Sequence, residues 1–263
     1  MIGRACAFVW RDVRVERSYR AALAGQLLGG LLFLCTFALL SPVVRDDFDA
    51  RYGTSYVAWA VVGVTVSGFL LASMQAISGS VRAAQLEGTL ETTLMAPTSH
   101  ARTIAAQGAW PALLAAVMSA LTITITAVFG VHYRINVASL LLAVALSVLV
   151  CAGLGFLSAA AVVVARRGDP VAVLIGMFGS LSAGAYAPVA TFPGWLQGVA
   201  AANPITYALE VWRGALLLGS SPADLGNPFA VLSVTALVVL VAGSWLLTAA
   251  VAVARDDGLF AGY

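Results

Sequence analysis

From Val137 to Ala165 the chain runs without a single charged side chain. About 20 such residues are enough to cross the ~30 Å hydrocarbon core of a bilayer. Five further stretches are comparable: Ala22–Val44, Tyr56–Ser78, a third span ending near Phe129, Val171–Val189 and Pro228–Ala254. A backbone in lipid must satisfy its own hydrogen bonds, which a helix does within one segment. The expected fold is therefore an all-α integral membrane protein with six transmembrane helices, built as one domain over residues 1–263. Only 10% of the residues are charged, against roughly a quarter in a soluble domain, so lipid must cover most of the surface. A net charge of +2 is too small to attract nucleic acid.

The connections set the expected topology. Residues 1–21 read as an interfacial helix, with Arg4, Arg11, Arg14 and Ser18 on one stripe and Ile2, Cys6, Val9 and Val13 opposite. With the N-terminus inside, the cytoplasmic side holds Arg4, Arg11, Arg14, Arg17, Arg20, Arg82, Arg102, Arg166, Arg167 and Arg255. The outer side holds only Arg45, Arg51, Arg134 and Arg213. The arginine excess places both termini in the cytoplasm. Every basic residue is arginine. With the heavy use of Ala, Val, Leu and Gly, this is the pattern of a GC-rich bacterial genome, and the expected location is its inner membrane. A P-loop needs its lysine to reach the nucleotide phosphates, so a chain without lysine holds no Walker-type ATPase.

Two segments carry more information than the spans. Residues 79–98 read as a short cytoplasmic helix. Leu86, Leu90 and Leu94 recur every four residues, Glu87 and Glu91 flank them, and Pro97 stops the helix. An apolar ridge beside charge suits a groove on a partner protein; it also suits packing on the chain's own helix ends. After the fifth span, residues 191–222 form two apolar pieces too short to cross, split by Asn203-Pro204. They read as an external helical hairpin that re-enters the outer leaflet, or as a surface loop. Trp195, Tyr207 and Trp212 are spaced like interfacial aromatics, and Glu210 and Arg213 lie one turn apart.

Small and mildly polar residues mark candidate helix contacts and a candidate pathway: Gly25 and Gly29, Thr36, Thr65 and Ser67, Gly176 and Ser180. The spans bury almost no ionisable group, which disfavours an ion-coupled carrier. His100 and His132 fall on opposite sides of the membrane in this topology. The three cysteines, Cys6, Cys35 and Cys151, are widely separated. No metal site and no nucleophile–base pair for catalysis follows. A secondary carrier or channel is the alternative reading.

Together these segments resemble the type-2 ATP-binding-cassette (ABC) exporter permeases. Trp10-Arg11-Asp12 with Ser18-Tyr19-Arg20 is similar to that family's opening helix. Gln85-Leu86-Glu87-Gly88-Thr89-Leu90-Glu91 followed by Ala96-Pro97-Thr98 resembles its most specific signature. Arg167-Gly168-Asp169-Pro170, Pro193-Gly194-Trp195-Leu196, and Asn203-Pro204-Ile205-Thr206-Tyr207 with Arg213 resemble its later turns. The resemblance implies a homodimeric permease that binds no cofactor itself. ATP and Mg would sit on two copies of a cytoplasmic ABC ATPase. The coupling helix would include Arg82, Gln85, Leu86, Glu87, Leu90, Glu91, Leu94 and Pro97. An outer gate would include Pro193, Trp195, Asn203, Pro204, Tyr207, Glu210 and Arg213. The substrate would be amphiphilic, lipid-linked, or a glycan or drug, moved outward.

The topology is open to a direct check in a chain freed of its own cysteines. Single cysteines at Asp47 and Ser221 should react with an impermeant thiol reagent in intact cells, and one at Arg166 should not; the reverse pattern would invert the assignment.

Overall fold

The computed structural model describes residues 35, 36, 39, 48, 51–88, 100–165, 172 and 174–256. The opening helix, nearly all of the first span with Gly25 and Gly29, the segment with Leu90, Glu91, Leu94 and Pro97, and the 166–171 turn lie outside them. Among the described residues every regular element is helical. In order these are α1 (Tyr56–Leu86), α2 (His100–Val128) and α3 (Val137–Ala165), a π-helical turn over Ile175–Gly179 and the short α4 (Ser180–Ser182). A 3-10 turn over Val189–Thr191, α5 (Gly194–Ala202), α6 (Pro204–Arg213), a second π turn over Gly214–Leu218 and α7 (Gly226–Asp256) complete the chain. Four of them, α1, α2, α3 and α7, are long and apolar enough to cross a membrane. The protein is a multi-pass membrane protein.

Two expected boundaries move. The second span does not stop at Ser78. α1 continues unbroken to Leu86 and ends where Gly88 turns into the left-handed region at φ +67°, a conformation that suits a residue without Cβ. The stretch from Ser80 to Leu86 is thus the last two turns of a spanning helix. The helix that holds Leu86 ends there, and Leu90 and Leu94 lie outside the described residues. The fifth segment ends early as well: its described part is helical to Ser182, and Gly184 then turns at φ +77°.

α1 is the axis of the bundle. It packs against α2 on one side and α3 on another, and α7 lies along α3. Close approaches are made at glycines. A Cβ on Gly153 of α3 would come within 2.6 Å of the Val239 and Leu240 backbone of α7, and one on Gly155 within 2.8 Å of Ile77 in α1. Such contacts let dispersion replace the hydrophobic drive that lipid cannot supply. The hydroxyls in the spans are mostly spent on their own helices: Thr122, Thr124 and Thr126 donate to the carbonyls of Met118, Ala120 and Thr122 at 2.8–2.9 Å, and Ser233 and Thr235 do the same in α7. Polar side chains satisfied this way cost little in hydrocarbon.

α6 is the unexpected member of the core. Ile205, Ala208, Leu209, Val211 and Trp212 are buried, and the helix touches α1, α3 and α7. It is not a surface helix on a plain loop. α5, by contrast, leaves Trp195 73% exposed.

Candidate functional site

The far end of α1 carries the residues expected to meet a partner. Leu86 is 72% exposed, and Glu87 and Gly88 are exposed beside it. Gln85 differs from expectation. It is buried, and its amide donates to the Val162 carbonyl of α3 at 3.1 Å while its oxygen accepts from Arg82 Nη1 at 3.2 Å. Gln85 therefore clamps the end of α1 to α3 and offers nothing to an outside groove. Among the described residues of that set, Leu86 and Glu87 are exposed and Arg82 is half-buried.

At the opposite end the hairpin is locked into the bundle by two polar residues. Asn203 separates α5 from α6. Its side-chain oxygen caps α6 by accepting from Ile205 N at 3.0 Å. Its amide donates to the Gly179 carbonyl at 2.7 Å and to Ser182 Oγ at 3.1 Å. Pro204 occupies the first turn of α6, where its missing N–H costs nothing. Tyr207 OH donates to the Ala201 carbonyl at 2.9 Å and closes the turn.

Arg213, at the other end of α6, was expected outside and paired with Glu210. Its charged end is instead inside the protein. Nη2 donates to the carbonyls of Gly184 and Ala185 at 3.0 and 3.2 Å, and Cζ lies 3.4 Å from the centroid of the Trp59 ring. A guanidinium on an aromatic face gains about 2 kcal/mol when desolvated. The carbonyls it takes belong to the backbone that the early end of the fifth segment leaves without helical partners. Gly63 makes room: a Cβ there would overlap the Ala185 carbonyl and Arg213 Nη2. Sequence reasoning missed Trp59 and Gly63. They stand one turn apart on α1, a small-after-aromatic spacing, but nothing in that spacing points to an arginine 150 residues later.

Trp212 is likewise not an interfacial aromatic. It is buried and donates from Nε1 to Ser147 Oγ at 2.9 Å, tying α6 to α3. Trp195 keeps the exposed setting expected of it, and Pro193 caps α5. The candidate contact residues divide. Gly176 faces Leu71 of α1, where a Cβ would come within 2.6 Å of Cδ1, and Ser67 and Ser180 are buried. These three pack within the chain. Thr36 is exposed. Thr65 borders a groove of about 560 Å³ between α1 and α2, shared with Gln75, Ser119 and Thr122. Thr65, Ser67 and Ser73, all on α1, have buried hydroxyls without a hydrogen-bond partner.

A family model described as ABC-2 type transporter matches residues 5–217. The chain belongs to the ABC-2 type transporter family. The match takes in the end of α1, both arms of the hairpin and the second π turn, and stops before α7. No curated protein matches the chain. As an ABC-2 permease the chain is a membrane transport component and not the catalytic one; such permeases work with an ATPase subunit.

The anchoring of the hairpin orders the effect of three substitutions on apparent melting temperature in detergent. Arg213→Met leaves two buried carbonyls without their donor, at about 1–3 kcal/mol each, and should lower it most. Asn203→Ala removes a cap and two cross-links and should lower it by less, on a scale of about 1–2 kcal/mol for the cap alone. Trp195→Ala, on an exposed ring, should leave it near wild type. An Arg213→Met protein as stable as wild type would contradict this account.

Proposed function

We propose that this ABC-2 permease is the membrane half of an exporter driven by ATP on a separate cytoplasmic subunit, working as a pair of identical permeases with two ATPases. The observation that carries the reading is the family match over 5–217 in a sequence that contains no lysine: the chain has the transport machinery and lacks the residue a P-loop requires. The near absence of ionisable residues from its spans supports an external energy source over an ion relay.

In this mechanism the segment after Gly88, with Leu90, Glu91, Leu94 and Pro97, forms the coupling element together with the exposed Leu86 and Glu87. ATP binding draws the two ATPases together and pulls on that element. Its motion enters the long, stiff α1 directly, and the Gln85–Val162 bond, braced by Arg82, passes it to α3. α1 carries it roughly 33–39 Å along the bundle, the rise of 1.5 Å per residue between Gln85 and Gly63 or Trp59. There Trp59 and Gly63 contact Arg213, so the tilt of α1 shifts the hairpin, which serves as the outer gate. The amphiphilic cargo moves outward along mildly polar surface such as Thr36 and Thr65. Both termini lie in the cytoplasm and the hairpin dips into the outer leaflet.

Glu87→Ala and Leu90→Asp test the coupling. Loss of a carboxylate contact to a partner cation costs about 2–5 kcal/mol where the pair is buried and far less at a wet rim. Both variants should lose most export and most of the permease's effect on the ATPase rate, while insertion, pairing and melting temperature stay as in wild type. Normal export and coupling in both would refute the assignment.

A further inference from the structure

Beside the buried guanidinium lies a cleft of about 500 Å³, bordered by Thr54, Thr206, Glu210 and Arg213 and by apolar groups including Leu218 and Leu225. That volume is ordinary for a small-molecule site. Its wall holds hydrogen-bonding capacity that the protein does not use. Arg213 spends Nη2 on the Gly184 and Ala185 carbonyls. Its Nε is sealed in with no partner, and so is Thr206 Oγ1, so neither reaches the cleft. Nη1 makes no bond among the described residues and is not sealed in. Native proteins leave few buried polar atoms unpaired, and each one asks for an explanation.

The charges on this wall are of both signs. Glu210, an exposed residue, stands one turn before Arg213 on α6, and Arg213 gives its hydrogen bonds to backbone carbonyls and not to it. An anion alone would meet Arg213 favourably and Glu210 unfavourably. A ligand carrying both charges a few bonds apart satisfies both. The apolar border has Leu218 52% exposed, which suits a hydrocarbon chain leaving the cleft.

We infer that this cleft binds the headgroup of a zwitterionic phospholipid, with a phosphate oxygen accepting from Arg213 Nη1, the amine against Glu210, and an acyl chain over Leu218 and Leu225. The lipid would brace the same α6 end that holds the fifth segment through Arg213. The site is independent of the transport reading: a permease that exported normally yet bound no such lipid would lose this site and keep its proposed function.

The test uses the full chain, purified and released from micelles holding equal amounts of dioleoyl phosphatidylethanolamine and dioleoyl phosphatidylglycerol, with retained lipid read by native mass spectrometry. Wild type should retain the zwitterionic lipid over the anionic one by about tenfold, the size of one charge-assisted contact. Glu210→Gln, an exposed and nearly isosteric change, should fold normally and bring that ratio close to one. Soluble phosphoethanolamine at millimolar concentration should not displace the lipid, since it lacks the acyl chain. Equal retention of the two lipids by wild type, an unchanged ratio in Glu210→Gln, or full displacement by phosphoethanolamine would each overturn the inference.

Discussion

Hydrocarbon offers no hydrogen-bond partner, so wherever a helix breaks inside this bundle the chain itself must supply one. The fifth segment breaks after Ser182, and the hairpin breaks at Asn203. Arg213 closes the first break through the Gly184 and Ala185 carbonyls, and Asn203 reaches back from the second to Gly179 and Ser182. A buried arginine is expensive unless it is paired or hydrogen-bonded. Trp59 and the two carbonyls meet that requirement here, and Gly63 leaves the space. The burial of α6 between α1, α3 and α7 follows from this closure.

The same arrangement gives α1 its importance. One helix carries Trp59 and Gly63 at the hairpin end, the unpartnered hydroxyls of Thr65, Ser67 and Ser73 in its middle, and Gln85, Leu86 and Glu87 at the other end. Packing glycines on α3 and the fifth segment bring their backbones against it. A rigid rod with one exposed tip and one buried anchor is suited to transmit a push. That is a property of the packing and holds whatever the cargo is.

Much of this was legible in the sequence, and the limits are physical. Charge-free runs of about 20 residues identify helices in lipid because length and polarity are local properties; α1, α2, α3 and α7 lie where the runs lie. The Asn203-Pro204 break was visible for the same reason, as capping and the missing proline N–H act within a turn. The end of the second span moves because Gly79, Ser80 and Arg82 look like the start of a separate helix, while Gln85 finds its partner 77 residues away at Val162. In the sequence Arg213 pairs most readily with Glu210, one turn away, because its contacts at Trp59 and the 184–185 carbonyls are distant in sequence. Trp212 was taken for an interfacial ring because Ser147, its acceptor, carries no pattern of its own. Gly176 and Ser180 announced close contact truly, but spacing alone does not say whether the neighbour is in the same chain.

The central claim is that this chain moves its cargo only with an outside motor, and one reconstitution tests it most directly. The full chain would be purified with and without a cytoplasmic ABC ATPase subunit, its copy number measured, and both preparations placed in proteoliposomes with ATP. The account predicts a complex with two copies of each subunit that transports only when ATP is hydrolysed. A stable single chain that transports on its own would contradict it.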